Sequence, residues 1–391
     1  MTLSMNFDWQ APGRIRFGVG VATEVPAAVG ELGGGAFVVA GRDPDRHAGL
    51  VRALGTSGVV GTWSVSGEPT VDDVRRGAEA ARVAGARVVV AIGGGAVLDA
   101  GKAIAALATN PGDPMDFLEV IGRGQQLRER PLSVVAVPTT AGTGSEATRN
   151  AVLGSPEHRL KVSLRSVGMI PRVAFVDPDL TLGCPRAVTA ASGLDALTQL
   201  LEPFVCRKAN VMTDALCREG LSRVGRDLRR VLADGMDREA RAGMAWCSLA
   251  GGLALANAGL GAVHGFAAPA GGMFPIPHGV VCAALLAPVV AVNLAALESR
   301  CPGHEALARY DEAARRLTGD PGMDRHGLVA WIGELVREAG IPRLASLGLE
   351  ESAWDTLVLA AQRASSMKAN PVELDAGELR EVLARENRRE I

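Results

Sequence analysis

A long stretch without charged residues limits what this chain can fold into. Between Ala242 and Leu297 the sequence contains no Asp, Glu, Lys or Arg, and parts of it approach the length of a membrane-spanning helix. The same stretch holds His264, His278 and several prolines, and its apolar residues are mostly Ala and Gly, which enter lipid only weakly. It therefore predicts helices that are buried on all sides within an all-helical domain, not a membrane protein.

Composition narrows the possible functions. The 391 residues include 41 basic and 43 acidic side chains, a net charge of −2, so no overall field attracts nucleic acid or an anionic membrane. Aromatic residues make up only 4%, which argues against a stacking surface for single strands. The six cysteines form no CxxC pair and are interpreted as reduced, mostly packed thiols. Because the N-terminal region also lacks a secretory signal pattern, we expect a cytoplasmic protein.

Two different patterns divide the chain near residue 184. In the first part, short β-branched runs alternate with helical periodicity, which predicts an open, mostly parallel sheet. Beyond it the strand signal fades and apolar residues recur at helical spacing, as in 221–231. We therefore predict an α/β domain over 1–184 and an all-helical domain over 185–391. The predicted elements of the first domain are strands at 37–40, 88–92, 134–137 and 173–176, helices at 71–84 and 97–108, and a hairpin at 151–153 and 161–164.

Two polar loops follow neighbouring predicted strands. Gly93, Gly94 and Gly95 separate the apolar run 88–92 from a helix, so bare backbone can approach a diphosphate at the first N–H groups of that helix. The spacing is not the GxGxxG of an ordinary Rossmann motif. A second loop, 138–146, is rich in Thr, Ser and Gly, and ligands bind at this edge of open α/β sheets. Together the loops predict a dinucleotide site, although either alone also fits a turn.

Three side chains of the helical part have the chemistry of a metal site. Asp195 lies four residues before Gln199, so the two share one face of a helix. His264 and His278 flank a Gly- and Pro-rich break in the uncharged stretch. One carboxylate and two imidazoles suit Fe²⁺ or Zn²⁺ with a position left open for substrate. For each histidine alone, a hydrogen-bonded core residue is the alternative.

These motifs, in order along nearly the whole chain, resemble the iron-containing (group III) alcohol dehydrogenase family. The resemblance rests on 93–102, 138–146, 193–197, His264 and 277–279. It implies a dehydroquinate synthase-like fold, with a dinucleotide-binding α/β domain, an all-α metal-binding domain and a cleft between them. It also implies an NAD(P)-dependent alcohol dehydrogenase or aldehyde reductase that uses Fe²⁺ or Zn²⁺, takes a small primary alcohol or aldehyde, and forms a homodimer.

The resemblance also suggests roles for individual residues. The implied metal ligands are Asp195, His264 and His278, with Gln199 as a weaker fourth ligand, and the metal that they hold binds the substrate oxygen. Gln199 stands where the family usually has a fourth ligand, a histidine, and Ala268 stands where it often has another active-site histidine. Gln199 implies a weaker or missing fourth ligand. Ala268 implies that a histidine proton relay is absent at that position. The residues implied at the cofactor are Gly93, Gly94, Gly95, Asp99, Thr139, Thr140, Thr143 and Lys161.

The substrate is suggested by Arg149, where family members often carry a smaller polar residue. A guanidinium there could pair with an anionic group of the substrate, although a surface arginine fits equally well. With Lys368, it allows an aldehyde that bears a phosphonate, sulfonate or carboxylate.

The residues after the strand at 37–40 bear on the choice of cofactor. Gly41 leaves room for a 2′-phosphate, and Arg42 or Arg46 could bind it. Asp43 and Asp45 would instead suit the free 2′-hydroxyl of NAD. The balance favours NADP slightly.

Three alternatives stay open at this point. A metal-independent enzyme similar to maleylacetate reductase is favoured by Gln199 and disfavoured by Asp195. Lyase chemistry of the dehydroquinate synthase type requires many basic residues around the metal, and the uncharged stretch does not supply them. A nucleotide-binding regulator with a decayed site would bind cofactor without turnover.

Overall fold

The computed structural model describes residues 6–55 and 58–389, which divide into two compact units. The first holds 10–140 and 144–183, and the second holds 6–9, 141–143 and 184–389. The first unit is an α/β structure built on a parallel sheet, and the second is helical. The predicted fold class is therefore confirmed.

A six-stranded sheet forms the framework of the first unit. The strands are β1 (Arg14–Phe17), β2 (Ala36–Gly41), β3 (Val59–Val65), β4 (Val88–Gly93), β5 (Ser133–Pro138), β6 (Asn150–Ser155), β7 (Leu160–Arg165) and β8 (Val173–Val176). Six of these pair in parallel in the order β1-β8-β5-β4-β2-β3. The other two, β6 and β7, form the expected antiparallel hairpin, in which Ala151 lies opposite Leu164.

Helices cover both faces of the sheet. They are α1 (Val25–Glu31), α2 (Ala48–Leu54), α3 (Val71–Val83) and α4 (Gly95–Thr109). Val88, Val90 and Ile92 of β4 pack in one core with α1 and α2, whereas Val89 belongs to the core that contains α3, α4 and the hairpin. Because β4 is buried on both sides, nearly all of its residues are apolar, which is why the sequence predicted it correctly.

The two outer strands, β1 and β3, were missed by the sequence analysis. In β3 half-buried and exposed residues alternate, and β1 carries two arginines in four residues. An edge strand contacts the core on part of its surface only, so it lacks the continuous apolar run that marks a central strand.

The order of the strands reverses between β2 and β4. On one side of this pair lies β3, and on the other lie β5, β8 and β1. In open parallel sheets a crevice forms at the carboxyl ends of the strands where the order reverses, and ligands bind there. Gly41 ends β2 and Gly93 ends β4, so both glycines lie at this edge.

The second unit packs its helices around one large core. They are α5 (Arg186–Val205), α6 (Val211–Ala233), α7 (Arg238–Asn257), α8 (Ala262–Met273), α9 (His278–Arg300), α10 (Glu305–Thr318), α11 (Arg325–Ala339), α12 (Trp354–Arg363) and α13 (Ala376–Arg388). On composition α9 could span a membrane, but 83% of its most apolar window is buried within the unit. The expectation of helices buried on all sides thus holds for α9, which is a core helix.

Candidate functional site

Side chains from three helices of the second unit meet at one point. Asp195 lies on α5, His264 is the third residue of α8, and His278 is the first residue of α9. Asp195 Oδ1 is 3.4 Å from His264 Nε2 and 3.7 Å from His278 Nε2. The structure therefore brings together the three predicted metal ligands, which are 83 residues apart along the chain at their extremes.

A fourth donor, Cys282, was missed as a site residue and had been interpreted as a packing thiol. Its Sγ lies 3.5 Å from His278 Nε2 and 3.9 Å from His264 Nε2. One ligand atom from each of Asp195, His264, His278 and Cys282 lies within 4.8 Å of the others. We refer to these four residues as the donor cluster. The signal that could have revealed Cys282 is its position one helical turn after His278.

Glu202 supports the donor cluster and was also missed. Its Oε2 lies 2.7 Å from His264 Nδ1, and its Oε1 accepts the backbone N–H of Val263 at 2.7 Å. A carboxylate at Nδ1 keeps the proton on that nitrogen and leaves Nε2 free to coordinate a metal. In α5, Glu202 lies seven residues after Asp195, on the same face, so helical periodicity could have indicated it.

Gln199, predicted as the fourth ligand, directs its amide group at Asp195. Gln199 Nε2 donates to Asp195 Oδ2 at 2.9 Å. Asp195 Oδ1 and Gln199 Oε1 are both buried and, within the described part of the chain, accept no hydrogen bond. Buried oxygens normally have hydrogen-bond partners. A cation bound to these two oxygens would compensate the cost of burying them.

The electrostatics of the donor cluster favour a cation. Burial opposes ionisation of Asp195, but the imidazoles of His278 and His264 outweigh it and lower the pKa of the carboxyl. Burial also opposes protonation of His264, yet its acidic neighbours, first Cys282 and then Glu202, raise its pKa well above the usual value. The carboxylates of Asp195 and Glu202 thus adjoin two imidazoles, an arrangement that favours positive charge in the cluster, carried by a proton or by a divalent ion.

Four separations within the donor cluster, between 3.4 and 3.9 Å, are close to those around a small divalent ion. A tetrahedral ion at about 2.0–2.1 Å from N and O and about 2.3 Å from S holds its ligand atoms about 3.3–3.6 Å apart. Asp195, His264 and Cys282 are buried, whereas the side chain of His278 is 33% exposed. The residues therefore fit a metal, and the cluster is accessible on the side of His278.

The two predicted phosphate loops lie side by side in the first unit. β4 and β5 are paired so that Gly93 is opposite Pro138, and the N–H of Thr139 donates to the carbonyl of Gly93 at 2.9 Å. Gly94 caps α4 with extended backbone, and among the described residues no side chain caps this end of the helix. A Cβ on Gly94 would lie 3.3 Å from Thr140 Oγ1. The start of α4 is thus open backbone, suited to a phosphate group.

Asp99, predicted near the nicotinamide, ties α4 to the second loop. It accepts hydrogen bonds from Ser145 Oγ at 2.5 Å and from the backbone of Val152 at 2.9 Å. Lys102, fully buried one turn later, lies 3.1 Å from Asp99 and donates to Ser145 O and Thr148 Oγ1. These bonds hold the loop beside the helix N-terminus, and a direct role of Asp99 at the cofactor stays a prediction.

The remaining predicted residues have the following surroundings. Lys161 on β7 forms an ion pair with Glu68, in which the Lys161 side chain is buried and the Glu68 side chain is exposed. Arg149, half-buried, donates to Gln10 Oε1 at 3.1 Å. Thr143 belongs to the helical unit, in contrast to Thr139 and Thr140.

The burial of Glu146, at the end of the second loop, predicts that the free energy of unfolding depends on pH. Its side chain is buried, one oxygen accepts no hydrogen bond from the described residues, and burial raises its pKa from 4.5 to about 7. A folded-state pKa above the unfolded value means that the stabilising contribution is complete below pH 4.5 and is lost as pH rises through about 7. At about 1.4 kcal/mol per unit, the free energy of unfolding should fall by up to about 3 kcal/mol across this range.

Glu146→Gln should remove this pH dependence. We expect the variant to exceed the natural protein in stability at about pH 8 but not at about pH 5, as measured by urea unfolding. Glu157→Gln, at an exposed position of the hairpin turn, is the matched control. If the difference in stability between Glu146→Gln and the natural protein were the same at both pH values, the prediction would be wrong.

Comparison with known proteins adds independent information. A model of iron-containing alcohol dehydrogenases matches residues 12–178, and a model of the C-terminal part of the same family matches 189–386. The chain is 37% identical over 316 residues to alcohol dehydrogenase 4 of Schizosaccharomyces pombe, covering 79% of this chain and 71% of that protein. It is 32% identical over 321 residues to 4-hydroxybutyrate dehydrogenase of Cupriavidus necator, covering 81% of each.

Solved structures of other proteins are similar to this chain over nearly its whole length. Sulfoacetaldehyde reductase from Bifidobacterium kashiwanohense, in complex with NAD⁺, superposes with a TM-score of 0.85 at 29% identity. The match covers 97% of this chain and 98% of that one.

Proposed function

Because this chain belongs to the iron-containing alcohol dehydrogenase family, we propose that it interconverts a small primary alcohol and its aldehyde. Proteins of this family use NAD(P) and a divalent metal. The observation that carries the proposal for this chain is the meeting of Asp195, His264 and His278, which are distant in sequence, in a buried cluster that fits such an ion.

The residues of the chain have separate tasks in this reaction. When bound, the metal supplies Lewis acidity at the substrate oxygen, and the nicotinamide gives or takes the hydride. Asp195, His264 and His278 hold the metal, and Glu202 keeps His264 in the tautomer that coordinates. The partly exposed edge of His278 is the side from which substrate arrives. With Ala268 one turn after His264, no imidazole exchanges a proton there, and solvent takes over this task.

The cofactor diphosphate is assigned to the start of α4. The backbone N–H groups after Gly94 and the positive end of the helix dipole attract phosphate. The hydrogen bonds of Asp99 and Lys102 hold the second loop next to it. This assignment is supported by the open carboxyl edge of β4 and β5.

We extend the proposal to substrates with an acidic group. Two similar proteins are named for such compounds, 4-hydroxybutyrate dehydrogenase and sulfoacetaldehyde reductase. The half-buried guanidinium of Arg149 offers a partner for a carboxylate or sulfonate. Arg149→Ala should therefore raise KM for acid-bearing aldehydes and leave KM for neutral aldehydes of the same length unchanged. Equal changes for both substrates would show that Arg149 does not recognise the acid.

The activity is tested by following the absorbance of the reduced nicotinamide with a panel of aldehydes and alcohols. The protein is assayed as purified, after chelation, and after addition of Fe²⁺ or Zn²⁺. We expect turnover that is lost on chelation and restored by metal. Unchanged turnover by the stripped protein would instead support a metal-independent reductase, and cofactor binding without turnover would support a regulator.

Cofactor preference forms a separate prediction. Among the residues after β2, Arg46 binds the carbonyl of Gly183, and Asp43 accepts the N–H of Asp45, whereas Arg42 is exposed. We therefore propose NADP, with its 2′-phosphate bound by Arg42. Arg42→Ala should raise KM for NADP about tenfold, since one charge-assisted hydrogen bond contributes about 1.5 kcal/mol or more.

KM for NAD should not change in the Arg42→Ala variant. Arg52→Ala, an exposed arginine at the end of α2, serves as the control and should affect neither cofactor. A similar loss for both cofactors would contradict the assignment.

The homodimer and the cytoplasmic location stay predictions. Light scattering tests the first, and cell fractionation tests the second.

A further inference from the structure

We propose that Cys282 is a direct ligand of the metal, so that the site is formed by Asp195, His264, His278 and Cys282, with Gln199 as a positioning residue. The inference rests on the proposed function, because it concerns the ion that the alcohol dehydrogenase activity requires. It follows from the arrangement of atoms within the donor cluster.

The distances place the thiol where a ligand belongs. Cys282 Sγ is 3.5 Å from His278 Nε2 and 3.9 Å from His264 Nε2. Sulfur and nitrogen atoms bound to one tetrahedral ion are about 3.6 Å apart, because the metal–sulfur bond, about 2.3 Å, is longer than the metal–nitrogen bond. The sulfur separations therefore match a shared ion as well as the oxygen–nitrogen separations do.

The helix explains why Cys282 reaches the same point as His278. The two residues are four apart in α9, so their side chains lie one above the other on one face. Cys282 is fully buried and faces two imidazoles. Cys247, equally buried in α7, has a different neighbour, the backbone carbonyl of Gly220 at 3.4 Å. It is therefore a suitable control for a thiol with a packing role.

Gln199 acts on the site through Asp195. Its Nε2 donates to Asp195 Oδ2, which leaves Oδ1 as the oxygen nearest to both imidazoles. A thiolate is an anionic and stronger ligand than an amide oxygen, and it favours zinc and similar ions over magnesium. When the ion binds, the thiol releases its proton to solvent and sulfur donates an electron pair to the metal.

Cobalt provides a direct test, since a thiolate bound to Co²⁺ gives a charge-transfer band in the near ultraviolet that oxygen and nitrogen ligands do not give. The full-length protein is stripped by chelation and titrated with Co²⁺. We expect the band in the natural protein and in Cys247→Ser. In Cys282→Ser it should be absent, with Co²⁺ bound at least about tenfold more weakly.

X-ray absorption of the zinc-loaded natural protein is a second test, which does not depend on a variant that folds. One sulfur at about 2.3 Å from zinc supports the proposal. A first shell of nitrogen and oxygen only, or a cobalt band that persists in Cys282→Ser, overturns it and points to Gln199 as the further ligand. In that case metal-dependent turnover of the natural protein would still uphold the proposed function, whereas failure to bind any metal would overturn both.

Discussion

Replacing Asp195 with Asn should lower kcat/KM for the alcohol or aldehyde by about a thousandfold, equivalent to about 4 kcal/mol of transition-state stabilisation. Asp195 is the carboxylate of the donor cluster, and its Oδ1 has no hydrogen-bond partner among the described residues. An amide has nearly the same shape but no negative charge, so the substitution removes a ligand without opening a cavity. The loss should therefore come from the metal and not from misfolding.

Two measurements on Asp195→Asn separate these causes. Metal content per chain should fall well below one, while circular dichroism and binding of the reduced cofactor stay as in the natural protein. Thr198→Val is the control on the same helix, because its hydroxyl donates to the carbonyl of Leu194 one turn earlier in that helix. An Asp195→Asn variant that keeps both its metal and its turnover would show that this carboxylate is not a ligand.

Enlarging Gly94 should weaken cofactor binding by about tenfold in Gly94→Ala and about a hundredfold in Gly94→Val, a loss of about 2.7 kcal/mol in the second case. Gly94 has extended backbone, which any residue can adopt, and the three atoms nearest to a Cβ there all belong to the side chain of Thr140, the nearest at 3.3 Å, so a small shift of that side chain accommodates it. The fold should therefore tolerate the change. The added atoms would occupy the approach to the N–H groups of α4, where the diphosphate is proposed to bind.

The dissociation constant of NAD(P)H, measured by fluorescence titration, gives the effect of each Gly94 variant, and a thermal melt shows whether the fold is retained. Gly49→Ala in α2, where a Cβ meets nothing within 4 Å, serves as the control. If Gly94→Val bound the cofactor as tightly as the natural protein, the phosphate site would lie elsewhere. If Gly94→Val lost its thermal transition, Gly94→Ala alone would carry the test.

The amino-acid sequence indicated some residues of the metal site but not others. Asp195, His264 and His278 could be singled out because a carboxylate or imidazole in an uncharged interior needs a partner. Cys282 could not, since a buried thiol is common in apolar cores and its residue type does not distinguish a ligand from a packing group. Glu202 has a role only through its bond to His264, which depends on how α5 and α8 pack together.

The amino-acid sequence by itself was sufficient for the fold class and for those strands and helices that are buried along their whole length. In β4 and α9, most positions are buried and must be apolar, so each element appears in the sequence as a nearly uninterrupted apolar run. The tertiary structure alone decided that β1 and β3 form the edges of the sheet and that Cys282 and Glu202 belong to the donor site. Such features depend on contacts between residues distant in sequence, and local composition does not record those contacts.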